Sequence, residues 1–343
     1  MPFTTGQATY RDFDPESPLR KRGLYVRVVL PDSSGASLYA LIDNEIPYCI
    51  FNFREEGISM PYANNHSVRI HYQVEGEGPP LVLQHGFTSS LQNWYAYGYV
   101  AALRQNYQLI LIDARGHGQS DKLYDPQAYA LQHRVEDVLA VLDALQVDNA
   151  HYLGYSMGGR IGFGIAKYHP ERFLSLLIGG MHPYESPGAS AEARIALLQQ
   201  GMEAYVADTE THNGPMAPDR KARLLANDPA ALIASLQAPR GLTGMDQVLL
   251  DMTLPCLLYV GEADSYYSGA KEGLKYMSNA RFVSFPGLNH AQTSQASHLV
   301  VPHVTQFLHE VMQDESGPRV NQPQNLYRMQ EPSPHPQPGT NGR

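Results

Sequence analysis

The chain has 343 residues, of which 43% are hydrophobic, and a formal net charge of −9 at pH 7. That hydrophobic share is sufficient for a large buried core, and the negative charge argues against nucleic acid as a partner. No stretch of the sequence comes close to the roughly 18 apolar residues of a membrane span, so no membrane partner is predicted.

Cysteine usage and the start of the chain predict where the protein resides. The two cysteines, Cys49 and Cys256, lie in apolar surroundings, which favours buried thiols in a reducing compartment over a disulfide. The first residues lack the charged and then apolar pattern of a secretory signal. We therefore expect a cytoplasmic protein. The sequence contains no metal-ligand spacing and no glycine-rich dinucleotide fingerprint, so no metal and no cofactor is predicted.

Both ends of the chain differ from its middle, and this division predicts a main domain over residues 60–312. Two interpretations stay open for residues 1–59: an N-terminal extension of uncertain origin before a natural start at Met60, or an additional strand pair packed on the sheet. Residues 313–343 are rich in Pro, Gln and Asn, a composition that predicts a disordered tail. We expect the chain to fold without either end, as residues 60–313.

Short apolar runs alternate with segments of helical periodicity through the main domain. Such alternation predicts an α/β fold with a mostly parallel central sheet and helices on both faces. The predicted strands are residues 68–74, 80–84, 108–112, 149–153, 174–178, 256–261 and 281–285. The predicted helices among them are residues 91–105, 128–145 and 159–169.

Two turns at predicted strand ends carry a nucleophile and its supporting backbone groups. Residues 154–158 read Gly-Tyr-Ser-Met-Gly, which places Ser156 at a tight turn between a strand and a helix. The N–H of Met157 then points at the group that the serine attacks. The sequence His-Gly-Phe at residues 85–87 follows another strand, and the N–H of Phe87 is predicted as the second oxyanion donor. An ordinary turn is the alternative interpretation of these three residues.

A charged turn at residues 113–120, Asp-Ala-Arg-Gly-His-Gly-Gln-Ser, follows the strand predicted at 108–112. One interpretation makes Asp113, Arg115 or His117 catalytic. We favour the other interpretation, in which these side chains satisfy backbone groups of a buried turn and the glycines provide unusual dihedral angles.

The predicted strands are interrupted by residues 181–253, which are helical in pattern and rich in Ala, Leu and Gln. The insertion lies directly before the strand predicted at residues 256–261, which is where the family that the motifs below resemble has its lid. A lid forms one wall of a pocket and excludes water. Its aromatic and methionine residues are interpreted as packing residues rather than substrate ligands. They are Tyr184, Met202, Tyr205, Met216 and Met245.

An acid and a base for Ser156 are predicted near the ends of the last two strands. Asp264 and His290 each come shortly after a predicted strand, in the chain order serine, acid, histidine. His290 would accept the serine proton, and Asp264 would orient the imidazole. Two rivals stay open, Glu262 for the acid and the less favoured His298 for the base.

Five motifs in this order make the chain resemble the α/β-hydrolase superfamily over about residues 62–312. They are residues 85–87, 113–120, 154–159, 261–264 and 287–290. The resemblance is to single-domain carboxylesterases, lactonases and cofactor-free haloperoxidase-like enzymes, and it implies an α/β-hydrolase fold with the helical lid inserted before the acid-bearing strand. Epoxide hydrolases and haloalkane dehalogenases share the charged turn but use an aspartate nucleophile, so Ser156 argues against both of those chemistries.

These motifs predict an enzyme, a serine hydrolase that cleaves a small-molecule carboxylic ester or lactone through an acyl-Ser156 intermediate. A C–C bond hydrolase, a perhydrolase or an acyltransferase with the same three residues is the alternative within this fold. A catalytically silent binding protein on the same scaffold is the alternative of another class. Fluorophosphonate labelling and a short panel of p-nitrophenyl esters separate an enzyme from a binding protein.

Overall fold

A computed structural model describes residues 61–185, 189–239 and 241–316 of the chain. The predicted extension at residues 1–59 and residues 317–343 of the predicted tail lie outside the described residues. Eight strands within the described residues form one sheet. They are β1 (Tyr62–Asn65), β2 (Val68–Glu75), β3 (Pro80–Gln84), β4 (Gln108–Ile112), β5 (Ala150–Tyr155), β6 (Phe173–Gly179), β7 (Cys256–Gly261) and β8 (Ala280–Phe285).

The sheet is mostly parallel, with the strands in the order β1-β2-β4-β3-β5-β6-β7-β8. β1 and β2 form an antiparallel hairpin at one edge, and β2 is antiparallel to β4, whereas all the later pairs are parallel. Parallel strands end at the same edge of a sheet, so the turns after β3, β5, β7 and β8 meet there. The predicted fold class is confirmed. β1 is an addition to it, because a strand of four residues with two asparagines carries no clear apolar signal.

Helices cover both faces of the sheet. In the described part of the chain they are α1 (Gln92–Ala96), α2 (Tyr99–Leu103), α3 (Leu131–Ala144), α4 (Met157–Tyr168), α5 (Ala189–Leu198), α6 (Met202–Asn213), α7 (Pro218–Leu225), α8 (Pro229–Gln237), α9 (Met245–Asp251), α10 (Tyr267–Gly273), α11 (His290–Gln295) and α12 (Ser297–Ser316). None of these helices combines the length and apolar character needed to cross a membrane.

Alternation along the strands divides the core into two layers. Leu81 and Leu83 pack with α1, α2 and α12 on one face, whereas Val82 between them packs with α3, α4 and α9 on the other. Both layers consist mainly of buried aliphatic and aromatic side chains. Because each strand of the middle of the sheet is covered on both faces, these strands are continuous apolar runs in the sequence.

Two helices have bounds that differ from the predicted ones, because residues at their ends adopt non-helical backbone angles. The helix predicted over residues 91–105 is two helices, α1 and α2, since Gly98 adopts a left-handed φ of 84° between them. The next predicted helix begins at Leu131 rather than at residue 128. A 3₁₀ turn over Pro126–Tyr129 precedes it, and Ala130 leaves the helical region with ψ 146°.

The predicted lid, residues 181–253, contains α5 to α9, but only part of it is separate from the main core. Leu198, Met202 and Leu232 form a small buried cluster that joins α5, α6 and α8. Met245 at the start of α9 instead packs in the main core beside α4. The helices α5 to α8 are therefore the part of the predicted lid that is separate from the main core, and we call them the lid helices. Both methionines are packing residues, as predicted.

Cys256 lies at the start of β7 and is fully buried, as the sequence predicts. Burial raises the pKa of its thiol, so the thiol stays protonated and unreactive at neutral pH. The other cysteine, Cys49, lies outside the described residues.

The last helix extends beyond residue 312, the predicted end of the main domain. Helix α12 continues to Ser316, so residues 313–316 are helical, and Val304 and Leu308 of the same helix are buried against the sheet. A cut at Gln313 would therefore shorten a helix that belongs to the core.

We expect a chain trimmed to residues 60–316 to keep the fold of the full-length protein. All the strands and core helices described above lie inside this range. Calorimetry of the two proteins measures the difference. A fall in Tm of more than about 5 °C, which corresponds to roughly 1–2 kcal/mol, would show that the removed residues stabilise the domain, and a chain of residues 1–316 would then show whether residues 1–59 are responsible.

A buried histidine on β5 makes stability depend on pH. His151 is fully buried, and its Nδ1 lies 2.8 Å from the hydroxyl of Ser175. Burial lowers the pKa of His151 to about 4. Below the unfolded-state pKa of about 6.5, the unfolded chain therefore binds a proton that the folded chain does not, and stability falls as the pH decreases from about 6.5 towards 4.

Between pH 7 and pH 4.5 we expect this one group to reduce the free energy of unfolding by about 2 kcal/mol. Urea unfolding of the wild type and of His151→Asn at both pH values measures the effect. The variant should lose correspondingly less stability on acidification. His212→Asn, at an exposed position on α6, should behave as the wild type. Identical pH dependence in all three proteins would contradict the prediction.

Candidate active site

Ser156 occupies the turn between β5 and α4. Its backbone has φ 56° and ψ −110°, a combination that residues other than glycine rarely adopt. Its N–H donates to the carbonyl of Gly179 on β6 at 2.8 Å, and its carbonyl accepts from the N–H of Arg160 at 2.9 Å. These bonds hold the strained residue in place, and its side chain lies partly exposed in a pocket.

Glycines on both sides allow this turn to approach its neighbours closely. A Cβ added to Gly158 would overlap the carbonyl oxygen of Gln84 on β3. A Cβ added to Gly154 would overlap the carbonyl oxygen of Gly158. Close backbone contacts thus require glycine at both positions of the pentapeptide. This agrees with the tight turn that the sequence pattern predicts.

We expect Gly158→Ala to destabilise the protein by about 3 kcal/mol or more, because a backbone oxygen on a central strand cannot move aside as a flexible side chain can. Thermal unfolding measures the loss. Gly214→Ala is the matched control, since its φ of 78° adds conformational strain but no described atom lies within 4 Å of the new Cβ. Equal losses in the two variants would contradict the close-contact explanation.

The structure brings Ser156, His290 and Asp264 together from distant parts of the chain. Nε2 of His290 lies 2.9 Å from Oγ of Ser156, and Nδ1 of His290 lies 2.7 Å from Oδ2 of Asp264. Both distances are those of hydrogen bonds. Because a carboxylate can only accept, Nδ1 carries the proton of the neutral imidazole, and the lone pair of Nε2 faces the serine hydroxyl.

Aromatic residues hold the imidazole on its other sides. The hydroxyl of Tyr155 donates to the backbone carbonyl of His290 at 2.6 Å, and burial raises the pKa of Tyr155 well above its ordinary value, so the hydroxyl remains a donor. The rings of Tyr155 and Tyr266 lie 5.2 and 5.3 Å from the imidazole. Neither tyrosine was predicted from the sequence, because Tyr155 occupies the variable position of the pentapeptide and its partner lies 135 residues away.

Asp264 and its rival Glu262 lie in opposite environments. The side chain of Asp264 is 0% exposed, and its second oxygen accepts from the N–H of Tyr266 at 3.0 Å. Glu262 is exposed and accepts from a serine hydroxyl on β8. His298, the rival base, is exposed on α12. Of the candidate acids and bases, the structure places Asp264 and His290 in line with the serine.

Hydrogen bonds within the turn after β3 fix the direction of the Phe87 N–H. Nδ1 of His85 donates to the carbonyl of Gly86 at 2.8 Å, and the N–H of Ser89 donates to the same oxygen at 3.2 Å. The C=O and N–H of a trans peptide point in opposite directions, so these bonds turn the N–H of Phe87 away from His85. Both Phe87 and Met157 line the pocket. The N–H of Met157 is the first in α4 and has no partner within that helix.

His85 also joins this turn to the turn after β4. Its Nε2 accepts from the N–H of Ala114 at 3.1 Å, which assigns the ring proton to Nδ1. Burial lowers the pKa of His85 and keeps the imidazole neutral. A Cβ on Gly86 would lie 3.3 Å from the Cβ of Ser156, so the turn packs directly against the serine.

The charged turn after β4 is buried and bonded within the protein, as the favoured interpretation predicts. The carboxylate of Asp113 accepts from two backbone N–H groups at 2.8 and 2.9 Å. Arg115 forms a two-pronged ion pair with Asp137 on α3, with both contacts at 2.6 Å. Burial lowers the pKa of His117 well below its ordinary value, and its Nδ1 is bonded to the carbonyl of Arg115. These side chains support the turn that lies beneath the site.

A pocket of about 100 Å³, open to solvent, lies between Ser156 and the helices α5 and α8. Ala191 of α5 and Leu236 of α8 are part of its wall, so lid helices face the serine. Three arginines also line it, and the sequence analysis did not find them because they come from three separate helices and form no motif. They are Arg134, Arg160 and Arg194.

Comparison with known proteins places this arrangement in a family context. A sequence profile described as alpha/beta hydrolase fold matches residues 79–248. The chain is 31% identical over 242 residues to the pimeloyl-[acyl-carrier protein] methyl ester esterase of Aeromonas hydrophila subsp. hydrophila, which covers 62% of this chain and 92% of the esterase. It is 28% identical over 218 residues to 3-oxoadipate enol-lactonase 1 of Acinetobacter baylyi, with 60% and 80% of the two chains covered.

Solved structures agree with these sequence relatives. A hydrolase from Pseudomonas aeruginosa PA01 superposes with a TM-score of 0.65 at 26% sequence identity, covering 74% of this chain and 99% of the hydrolase. The described fold therefore accounts for nearly the whole length of that protein.

Proposed function

The chain belongs to the α/β-hydrolase fold family, and we propose that it is a serine hydrolase that cleaves a carboxylic ester or a lactone. The observation that carries the proposal is the 2.9 Å contact between Nε2 of His290 and Oγ of Ser156, a serine held with a strained backbone at a strand-to-helix turn. The names of two relatives, a methyl ester esterase and an enol-lactonase, support these two substrate classes.

In the first half of the proposed reaction, Oγ of Ser156 attacks the carbonyl carbon while Nε2 of His290 accepts the hydroxyl proton. Asp264 stabilises the imidazolium that forms. The oxygen of the tetrahedral intermediate accepts hydrogen bonds from the N–H groups of Phe87 and Met157. When the intermediate collapses, the bond to the alcohol oxygen breaks, His290 returns its proton to that oxygen, and the acyl group remains on Ser156.

In the second half, water attacks the acyl carbon and His290 accepts one of its protons. The second tetrahedral intermediate expels Oγ of Ser156, which takes the proton back from His290, and the carboxylic acid leaves. A lactone follows the same steps, except that the alcohol and the acid remain in one molecule. The lid helices limit the access of other nucleophiles to the acyl intermediate.

Steady-state hydrolysis of p-nitrophenyl acetate, p-nitrophenyl butyrate and γ-butyrolactone by the full-length protein tests the proposal. We expect saturable turnover of an ester or of the lactone. Cleavage of a ring-fission diketone without ester or lactone turnover would favour a C–C bond hydrolase. Acyl transfer to an added alcohol that exceeds hydrolysis would favour an acyltransferase. Neither turnover nor fluorophosphonate labelling would indicate a binding protein.

A further inference from the structure

The pocket beside Ser156 is lined by three arginines, while its described lining contains no acidic residue. Arg134 comes from α3, Arg160 from α4 and Arg194 from α5. Cations in a concave site with apolar walls create a potential that attracts and holds anions. Whether the site suits an anionic substrate depends on how far protein groups already neutralise these charges.

Arg134 is 6% exposed and is bonded to neutral groups. Its Nε donates to the carbonyl of Tyr129 at 2.8 Å, its Nη2 to the hydroxyl of Ser235 at 2.8 Å, and its Nη1 to Sδ of Met157 at 3.0 Å. Burial, with a smaller contribution from the charge of Arg115, lowers the pKa of Arg134 to about 10, so the guanidinium remains charged at neutral pH. A buried charge of this kind is unfavourable until an anion binds it.

The carboxylate of Asp137, three residues further along α3, does not provide that anion. Its two oxygens bind Arg115 at 2.6 Å each, and one of them also accepts from Asn65 at 2.9 Å. Among the described residues, no carboxylate oxygen lies within 4.0 Å of the Arg134 guanidinium. The charge of Arg134 is therefore not paired within the described fold.

Arg134 retains hydrogen-bond donors that an anion can use. A guanidinium has one N–H on Nε and two on each Nη nitrogen. In this side chain the Nε proton and one proton on each Nη are used by protein acceptors. One N–H remains on each Nη nitrogen, so two charge-assisted donors remain for the oxygens of a carboxylate.

A second cation comes from the lid. The guanidinium of Arg194 on α5 lies 4.6 Å from the ring centroid of Phe87, the residue whose N–H is a proposed oxyanion donor. Arg134 in turn contacts the side chain of Met157, the other proposed donor. The two arginines therefore contact the two residues that would surround the reacting carbonyl.

We propose that the substrate is an ester or lactone that also carries an ionised carboxylate, and that Arg134 and Arg194 bind this carboxylate. The chemical class is a monoester of a dicarboxylic acid or a lactone with a carboxylate substituent. This inference rests on the proposed function, because it takes Ser156 as the nucleophile. Binding of the carboxylate would neutralise the buried charge of Arg134 and hold the substrate beside the serine.

The test compares p-nitrophenyl butyrate with mono-p-nitrophenyl glutarate, which share a leaving group and differ by a terminal carboxylate. After subtraction of spontaneous hydrolysis, kcat/KM of the full-length protein should be at least about 10-fold higher for the glutarate ester. Arg134→Gln should lower the glutarate-to-butyrate ratio roughly 10- to 100-fold, as expected for the loss of a charge-assisted pair. Arg134→Lys, which keeps the cation, should retain part of the preference.

Arg104→Gln is the matched control, because this arginine is half-exposed beside Glu75 and does not line the pocket. It removes the same charge and should leave the ratio unchanged. If Arg134→Gln does not fold, Arg194→Gln tests the arginine contributed by α5, again through the glutarate-to-butyrate ratio of kcat/KM. An unchanged ratio in the folded pocket variants would overturn the inference.

Binding of glutarate to Ser156→Ala, measured by calorimetry, makes the result independent of turnover. We expect binding that weakens at least about 10-fold when Arg194→Gln is added and stays the same when Arg104→Gln is added. Ser156-dependent hydrolysis with no preference for the glutarate ester and no glutarate binding would overturn the carboxylate site and leave the proposed function standing. Glutarate binding without Ser156-dependent hydrolysis of either ester would do the reverse, overturning the proposed function while supporting the site.

Discussion

Ser156→Ala is expected to lower kcat for ester hydrolysis by up to ~10⁶ and to leave the fold intact. Alanine has no hydroxyl, so His290 has no nucleophile to activate and no acyl intermediate forms. The hydrogen bond to His290 is the side-chain contact that is lost, and the backbone bonds of residue 156 do not depend on the hydroxyl. Far-UV circular dichroism and Tm should therefore match the wild type.

The control for this variant is Ser278→Ala, at an exposed position between α10 and β8. It should keep full activity. Retention of more than a few per cent of wild-type activity by pure Ser156→Ala protein would contradict the nucleophile assignment. Expression of both variants in one host under one purification controls for contaminating esterases.

Asp264→Asn is expected to lower kcat by roughly 10³–10⁴. An amide in this buried position can present its N–H to Nδ1 of His290, which moves the ring proton to Nε2 and removes the acceptor that faces Ser156. Steady-state kinetics with a p-nitrophenyl ester measures the loss. Because Asp264 also accepts from the N–H of Tyr266, unfolding of the variant is followed separately.

Glu262→Gln is the matched change, since it neutralises a carboxylate two residues away on the same turn. Glu262 is exposed and bonded to a serine on β8, so we expect kcat to change by less than about twofold. A larger loss of kcat in Glu262→Gln than in Asp264→Asn would mean that Glu262, and not Asp264, is the acid.

The features that could be predicted from the sequence are those in which a short motif determines the local backbone conformation. The pentapeptide at residues 154–158 predicted a tight turn between a strand and a helix, and Ser156 lies between β5 and α4. Asp264 and His290 were expected near each other because both follow strands of a parallel sheet. β7 and β8 are neighbours in the observed order, so their carboxyl ends bring the two residues into contact.

What the sequence did not predict depends on contacts between distant segments. Arg134 and Arg194 lie on α3 and α5, and their approach to one pocket is set by how each helix is rotated on the sheet or in the lid. Tyr155 contacts His290 only once the sheet has formed. The break at Gly98 was missed because a single glycine within an apolar, helix-like segment is compatible with a continuous helix as well as with a left-handed turn.

Intact-protein mass spectrometry after reaction with a fluorophosphonate tests the central claim, a covalently reactive Ser156, most directly. We predict one phosphonyl adduct on the full-length protein, located at Ser156 by peptide mapping and absent from Ser156→Ala. The treated protein should lose esterase activity in proportion to the fraction modified. An unmodified wild-type protein, or an adduct that persists in Ser156→Ala, would contradict the account.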